Sequence, residues 1–339
     1  MSWHVAMQSQ DYGPAKWSIG QRSTGLNSKD LDDAVSTGSI LRTHVLRPTW
    51  HFVTREDIRW LLALTGPRVR QSTAPRTNEL GLDSSTLARG ESVITSALSG
   101  GNHLTRSEIS SLLEKSRLDK SGQRLPYLLM HLEIEAVICS GILRGKQQTY
   151  ALLDERASEL APFDHDHALA ELVRRYLTSH GPATVQDLRW WSSLKVSEIR
   201  KGLEALGSDA HEETIHGKTL WAVESNGEGP SASGAHLLQS YDEFIVGYSE
   251  SRFLGDAREQ AIRQAWSGRT LPASLVLING TVAGHWRRAT RNNAVTANVQ
   301  LYEPARRSTL EALQIETERL SNFIAAPVKM VTTTIPNPN

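Results

Sequence analysis

The chain has 339 residues, 39% hydrophobic and 22% charged, enough for two or three modules with a real core and unlike the composition of a disordered chain. Lys+Arg and Asp+Glu are equal at 37 each, so net charge alone argues against a polyanionic partner. No apolar run approaches the roughly 18 residues of a membrane helix, the start "MSWHVAMQSQ" lacks the regions of a signal peptide, and a single cysteine, Cys139 in apolar "EAVICSGIL", excludes an internal disulfide and any multi-cysteine zinc site.

The expected location is therefore cytoplasmic, with Cys139 packed in the core. The charge is unevenly spread. Residues 1–90 carry 11 Lys+Arg against 8 Asp+Glu, residues 91–251 carry 15 against 23, and residues 252–339 carry 11 against 6. If the two positive ends meet in space, they form a basic channel on a neutral molecule.

In chain order, "AMQSQDY" (6–12) comes first, with two amides flanking one small residue. "AKWSIGQRS" (15–23) has helical spacing. "SKDLDDAVSTGSIL" (28–41) reads as a short helix with Ser28 as N-cap and Gly38 as its end. "RTHVLRPTWHFVT" (42–54) is β-like, with Pro48 at a strand edge or bulge. "REDIRWLLALTG" (55–66) is a helix capped by Thr54. This order, short helix, strands, helix, fits a winged-helix module at 1–90.

A second unit, 91–155, opens at "LTRSEISSLLEKSR" (104–117), where Thr105 and Glu108 make a capping box. "LPYLLMHLEIEAVICSGILRG" (125–145) reads as one long amphipathic helix ending near Gly141. "ILRGKQQTYALLD" (142–154) follows as a hairpin turning at Gly145–Gln147. A third unit, 156–224, repeats the order with helices at 167–181, 183–194 and 195–207 and a hairpin at 211–223 turning at His216–Lys218. Trp190 and Trp191 lie on the middle helix and are assigned to the core. "ESNGEGPSASG" (224–234) is the linker. The remainder, 235–330, is α/β: a strand-like stretch (235–253), a hairpin (275–288) with Asn279–Gly280 at its turn, and a final helix (305–324).

"QSQDYGPAKWSIGQR" (8–22), "SILRTHVLRPTWHFVTREDIRWLLALTGPRV" (39–69), "LLQSYDEFIVGYSESR" (237–252), "NGTVAGHWRR" (279–288) and "HGPATVQDLRWWSSL" (180–194) together resemble the winged-helix DNA-binding family that contains the AlkZ-like DNA glycosylases. The resemblance spans most of the chain. It implies an α+β fold of about three tandem winged-helix motifs plus a C-terminal α/β hairpin region, curved around a DNA-binding channel. It also implies excision of alkylated purines, in some members from interstrand crosslinks. The family signature is Gln-x-Gln in one branch and Gln-x-Asp in another, and Gln8-Ser9-Gln10 matches the first. Family members usually carry a further helix before the glutamines, whereas this chain begins seven residues before Gln8, which implies a less buttressed segment.

The chemistry explains how amides suffice. An N7-alkylguanine or N3-alkyladenine is already cationic and leaves without protonation, so the enzyme needs a held water and partial negative charge near C1′. On an extended segment Gln8 and Gln10 point to one face and Ser9 to the other, so the two glutamines are the expected catalytic pair. Asp11 either assists the water as a base or caps the next turn. Thr49 and His51 share a strand face with Val53; they support the water or bind phosphate, or His51 is an ordinary half-buried histidine. Arg47 is a candidate phosphate contact. His285, Arg287, Arg288 and Arg291 are candidates to enter the minor groove or pair with phosphate, a solvated charged face being the plainer reading. Asp242 is expected in a buried ion pair with Arg252.

No lysine is placed for a Schiff base, so a monofunctional enzyme is expected. No zinc spacing or phosphate-binding glycine loop appears, so neither metal nor cofactor is expected. The expected partner is double-stranded DNA, bound by a monomer that is nucleoid-associated when engaged. The competing readings are a non-catalytic winged-helix DNA-binding protein or regulator, and a degenerate scaffold. "LPYLLMHLEIEAV" is poor in base-reading side chains, which weighs against a sequence-specific regulator.

Overall fold

In a computed structural model, the residues described are 1–157, 163–224, 233–256, 259, 262, 274–292 and 294–335. They form two compact units. The first comprises Met1–Ser9, Asp32–Glu213 and Leu220–Val223; the second comprises Gln10–Leu31, Thr214–Thr219 and the described part of Glu224–Asn339.

In the first unit, β1 (Ala6–Gln8), β2 (Ile40–His44) and β3 (Trp50–Thr54) form an antiparallel sheet in the order β1-β3-β2. The β-like stretch 42–54 thus supplies a hairpin, β2 and β3. Pro48 sits in its connection because it has no N–H to give a ladder. That connection is tied by bonds from Arg47 N to Val45 O and from Thr49 N to Arg47 O, each 2.7 Å.

The helix expected to stop at Gly66 runs from Ile58 to Glu79 (α3), through Pro67 and Pro75. Its buried stripe, Leu61, Leu62, Thr65 and Val69, continues past Pro67 and offsets the hydrogen bond lost there. At its start Asp57, not Thr54, is the N-cap residue, and the Thr54 hydroxyl donates to the Asp57 carboxylate at 2.8 Å. The helix α4 (Ser84–Leu98) follows, capped by Asp83, whose carboxylate accepts from Thr86 N at 2.7 Å. The expected boundary at 90/91 therefore falls inside a continuous helix.

The capping box at Thr105 and Glu108 is present at the start of α5 (Arg106–Lys115). The backbone N–H of Thr105, with Arg144, holds the Glu108 carboxyl down to about 2. The next helix, α6, spans only Arg124–Ile134. It closes on Ala136, at a φ of 59°, with Val137 N bonded to Leu132 O at 2.9 Å, a left-handed stop without the usual glycine. Residues 138–140, expected as helix, are instead β5 (Ile138–Ser140), which pairs with β6 (Thr149–Leu152) beside β4 (Leu104–Thr105). Cys139 is buried there as expected, and burial pushes its thiol up to about 12. Ile94, Ile109, Leu128, Leu132 and Ile138 share one apolar cluster.

After α7 (Leu153–Arg156) come α8 (His165–His180), α9 (Val185–Ser192) and α10 (Val196–Leu206). The hairpin β7 (Ala210–Ile215) and β8 (Lys218–Val223) follows. Two helices followed by a strand pair therefore recur: α5, α6, β5, β6 and α9, α10, β7, β8. The proposed linker lies mostly outside the described residues.

The second unit joins the segment after Ser9 to the C-terminal region. Its sheet has the order β13-β12-β11-β10-β9, built from β9 (Ala235–Leu237), β10 (Leu275–Ile278), β11 (Thr281–Arg291), β12 (Ala294–Leu301) and β13 (Val328–Thr334). Asn279 and Gly280 make the β10–β11 turn with φ of 49° and 78°, as expected. The expected assignment of residues 10–31 to a module spanning 1–90 is corrected by side-chain chemistry within this unit. From α1 (Tyr12–Gln21), Trp17 Nε1 donates to Leu237 O at 2.8 Å and Gln21 Nε2 to Glu316 Oε1 at 2.5 Å. Glu316 lies on the last helix, α12 (Arg307–Ile324). Asp242, a residue before α11 (Glu243–Val246), is paired with Arg22 and not with Arg252. Arg22 forks onto both carboxylate oxygens at 2.6 and 2.8 Å, and Ser18 adds a bond at 2.6 Å. Arg252 donates to Tyr248 O.

Candidate active site

Gln8 ends β1. The register pairs Ala6 with Val53, Met7 with Phe52 and Gln8 with His51, while Thr43 of β2 also pairs with His51. Residues opposite one another in a sheet share a face, so Gln8, His51 and Thr43 form one polar row across three strands. The row is buried: Gln8 is 5% exposed, and His51 and Thr43 are 0%.

The connection between β2 and β3 places Arg47 at this row. Its Nη2 donates to Gln8 Oε1 at 3.0 Å. This contact decides which end of the amide is oxygen and fixes the side chain. His51 Nδ1 lies 2.9 Å from Thr49 O. A carbonyl only accepts, so Nδ1 carries the proton and, in the neutral ring, Nε2 carries the lone pair. The hydroxyls of Ser9, Thr43 and Thr49 are buried with no hydrogen-bond partner among the described residues. They are available to a ligand or a water.

The opposite face braces the same strands. Ser9 N donates to Trp50 O at 2.7 Å. Arg42 donates twice to Ser9 O, at 3.1 and 3.0 Å, and its guanidinium lies 4.3 Å from the Trp50 ring centroid. Trp50 Nε1 donates to Glu133 Oε1 at 3.3 Å, and His44 Nδ1 pairs with the other oxygen of that buried carboxylate. Arg42 thus grips the peptide between the two glutamines from behind.

Gln10 and Asp11 follow the strand rather than belonging to it. The strand ends at Gln8, so the period-two argument stops before Gln10, which lies exposed in a bend and is the first residue of the second unit. Asp11 occupies the N-cap position of α1, where it makes no side-chain cap bond. Burial, and after it the charge of Asp11, pushes the phenol of Tyr241 up.

Of the candidate DNA contacts, Arg47 is buried, 8% exposed, with its guanidinium on Gln8; the others lie on one long hairpin of the second unit. Arg291 pairs with Ala294 at its tip, and Arg287 pairs with Asn298. Arg287, Arg288 and Arg291 are exposed. Alternation puts His285, Arg287 and Arg291 on one face with Asn298 and Gln300, while Arg288 lies on the other with Trp286. His285 Nε2 is hydrogen-bonded to Tyr302 Oη at 2.5 Å. The expected hairpin 275–288 corresponds to β10 and β11; the second hairpin, in which β11 runs on to Arg291 and returns as β12, has a legible signal in the alternation of Val295, Ala297, Val299 and Leu301.

Three residues of the site have no local sequence signal. Arg42, His44 and Glu133 become visible only once β2, β3 and α6 are packed. Trp190 was assigned to the core with Trp191, but only Trp191 is there, at 0% exposure, against 51% for Trp190. Successive helical residues point about 100° apart. Trp191 packs on Tyr176 and His180, with centroids at 5.1 and 5.5 Å, and so turns Trp190 outward. Among the described residues, no three His, Cys, Asp or Glu side chains are placed to hold a metal ion, and no helix is long and apolar enough to cross a membrane.

The mixed α/β fold has known counterparts. The DNA glycosylase AlkZ-like family matches residues 1–323, and the chain belongs to it. An interstrand DNA cross-link repair glycosylase from Streptomyces sahachiroi is 23% identical over 350 residues, spanning 96% of this chain and 91% of that protein. The solved structure of Streptomyces sahachiroi DNA glycosylase AlkZ matches with a TM-score of 0.76 at 19% identity, covering 97% of this chain and 92% of that one. The two share a fold.

Proposed function

We propose that the protein is a monofunctional DNA glycosylase. It hydrolyses the N-glycosidic bond of cationic N-alkylpurines in double-stranded DNA, bulky adducts and interstrand crosslinks included, acts as a monomer, and carries about three tandem winged-helix motifs. The observation that carries this reading is the fixed amide. Arg47 holds Gln8 Oε1 at 3.0 Å, and the register sets His51 directly beside it.

A carbonyl oxygen has two lone pairs, so Gln8 Oε1 accepts a hydrogen of the attacking water while still bonded to Arg47. The water oxygen bonds to C1′. The C1′–N bond breaks and its electron pair neutralises the purinium nitrogen. His51 Nε2 takes the water's proton as general base. The Arg47 charge disfavours a second cation at Gln8, so Gln8 serves the water rather than the oxocarbenium-like sugar. Stabilising the sugar falls to the Gln10 amide, with Asp11 as support. Thr49 assists through its hydroxyl. Arg287, Arg288, Arg291 and His285 hold phosphates or the minor groove.

The test is base release from duplex DNA containing N7-methylguanine, under single turnover, for wild type and Gln8→Ala/Gln10→Ala. Release by the wild type and its loss in the double variant are expected. A wild type that releases no N7- or N3-alkylpurine, bulky adducts included, overturns the reading.

A further inference from the structure

Trp190 is half exposed on a helix whose other aromatic, Trp191, is wholly buried. Exposing an indole forgoes the stabilisation that its burial gives. Its surroundings are specific. The Arg47 guanidinium lies 5.8 Å from the ring centroid, and the same guanidinium holds Gln8 Oε1 at 3.0 Å. Those links put the indole within roughly 10 Å of the amide oxygen, given ordinary bond lengths.

The exposed face of α9 also carries Gln186 and Arg189. Arg189 donates to Gln186 Oε1 at 3.3 Å, a neutral acceptor. An arginine next to an open aromatic ring is the pairing that holds a phosphate and stacks a base. The capping box of Thr184 and Asp187, with bonds of 2.9 and 3.1 Å, fixes the start of α9, and Trp191 anchors its inner side.

We infer that Trp190 is the stacking platform for the alkylated purine, and that Arg189 holds a neighbouring phosphate. This rests on the glycosylase reading and adds how the lesion is distinguished from the normal base. The negative face of an indole attracts a cationic ring beyond what stacking alone supplies. An N7-alkylguanine is therefore preferred over guanine at Trp190. The attraction ends when the glycosidic bond breaks, because the freed base is neutral, so the platform releases product as a consequence of the reaction.

The test is equilibrium binding, which needs no chemistry. The probes are one duplex with a single 2′-fluoro-N7-methylguanine, which resists hydrolysis, and the same duplex unmodified. Wild type is expected to prefer the modified duplex. Trp190→Ala is expected to weaken modified-duplex binding by roughly tenfold to a hundredfold while unmodified binding stays within about twofold. Trp190→Phe should keep most of the preference. Trp3→Ala, which removes an indole that is 60% exposed on the turn at Ser2–His4, should keep all of it. If Trp190→Ala melts early, Trp190→Gln supplies the same measurement. An unchanged preference in the Ala or Gln variant overturns the proposal, and so does an equal loss for both duplexes. Failed base release by the wild type overturns the glycosylase reading instead, whatever the binding shows.

Discussion

The Gln8 row and the arginine hairpin are both made of strands, yet they use their side chains in opposite ways. In the row, geometry is fixed and charge is scarce. Arg47 aims at one oxygen, His51 at one carbonyl, and Arg42 grips the backbone from the other side. In the hairpin, Arg287, Arg288 and Arg291 are exposed on β11, in a sheet where β13 also pairs with β12, and what counts is their number. A fixed polar group acts on a barrier, and an exposed charge acts on an encounter. Variants in the first region should change rate with little change in binding, and variants in the second the reverse.

The largest effect should come from His51→Ala. Single-turnover base release should fall by about 10²–10⁴-fold, with DNA affinity unchanged; a fall in affinity without a fall in rate would remove His51 from the chemistry. Next, Gln8→Ala should slow release by about 10²–10³-fold, in line with loss of one preorganised group. A smaller effect, roughly tenfold in rate, is expected for Arg42→Ala, since a displaced supporting group costs less than a lost one. Arg42→Lys should not restore the rate, because a lysine cannot fork onto Ser9 O while lying over Trp50. Recovery with lysine would mean that Arg42 supplies only charge.

In the hairpin, replacing Arg287, Arg288 and Arg291 with alanine should leave the saturated rate within about twofold and reduce the salt dependence of binding by up to about three phosphate contacts. A steep fall in saturated rate would erase the contrast between the two regions. The smallest effect concerns the brace where β3 enters α3. Arg175 grips Asp57 at 2.7 and 2.8 Å. Burial pushes the Asp57 carboxyl up, but hydrogen bonds from Arg175, Trp60 and Thr54 outweigh it and leave the group below its ordinary value. A lowered folded value stabilises the protein above the unfolded carboxylate range, and the stabilisation is lost as pH falls through the folded value. Asp57→Asn should therefore lower the melting temperature by about 2–4 °C at neutral pH, and the gap to wild type should close in acid.

Local signals were legible where residues speak for themselves. The capping box at Thr105 and Glu108, the Asn279–Gly280 turn and the burial of Cys139 each need only a few neighbouring side chains. The pairing of Gln8 with His51 was half visible, through alternation in "RPTWHFV". What failed needed long-range packing or a missing cue. The helix α6 ends at Ala136, with no glycine to announce it. The helix expected to end at Gly66 runs on through Pro67, because the buried face of α3 extends to Val69. Two adjacent tryptophans look alike in sequence, and only the packing of Tyr176 and His180 separates them. Asp242 was correctly suspected of an ion pair, but its arginine lies 220 positions away in the chain.

That separation bears on how the protein is made. Synthesis delivers Trp17, Arg22 and Gln21 long before Leu237, Asp242 and Glu316, the groups that satisfy them. At cellular elongation rates the delay is on the order of tens of seconds. During that time the first helix of the second unit has no completed home, although the 32–213 segment of the first unit can already pack. A chain terminated before Leu237 keeps the strands of its amide row but leaves Trp17, Gln21 and Arg22 without these partners, presenting an apolar and charged helix to chaperones and proteases.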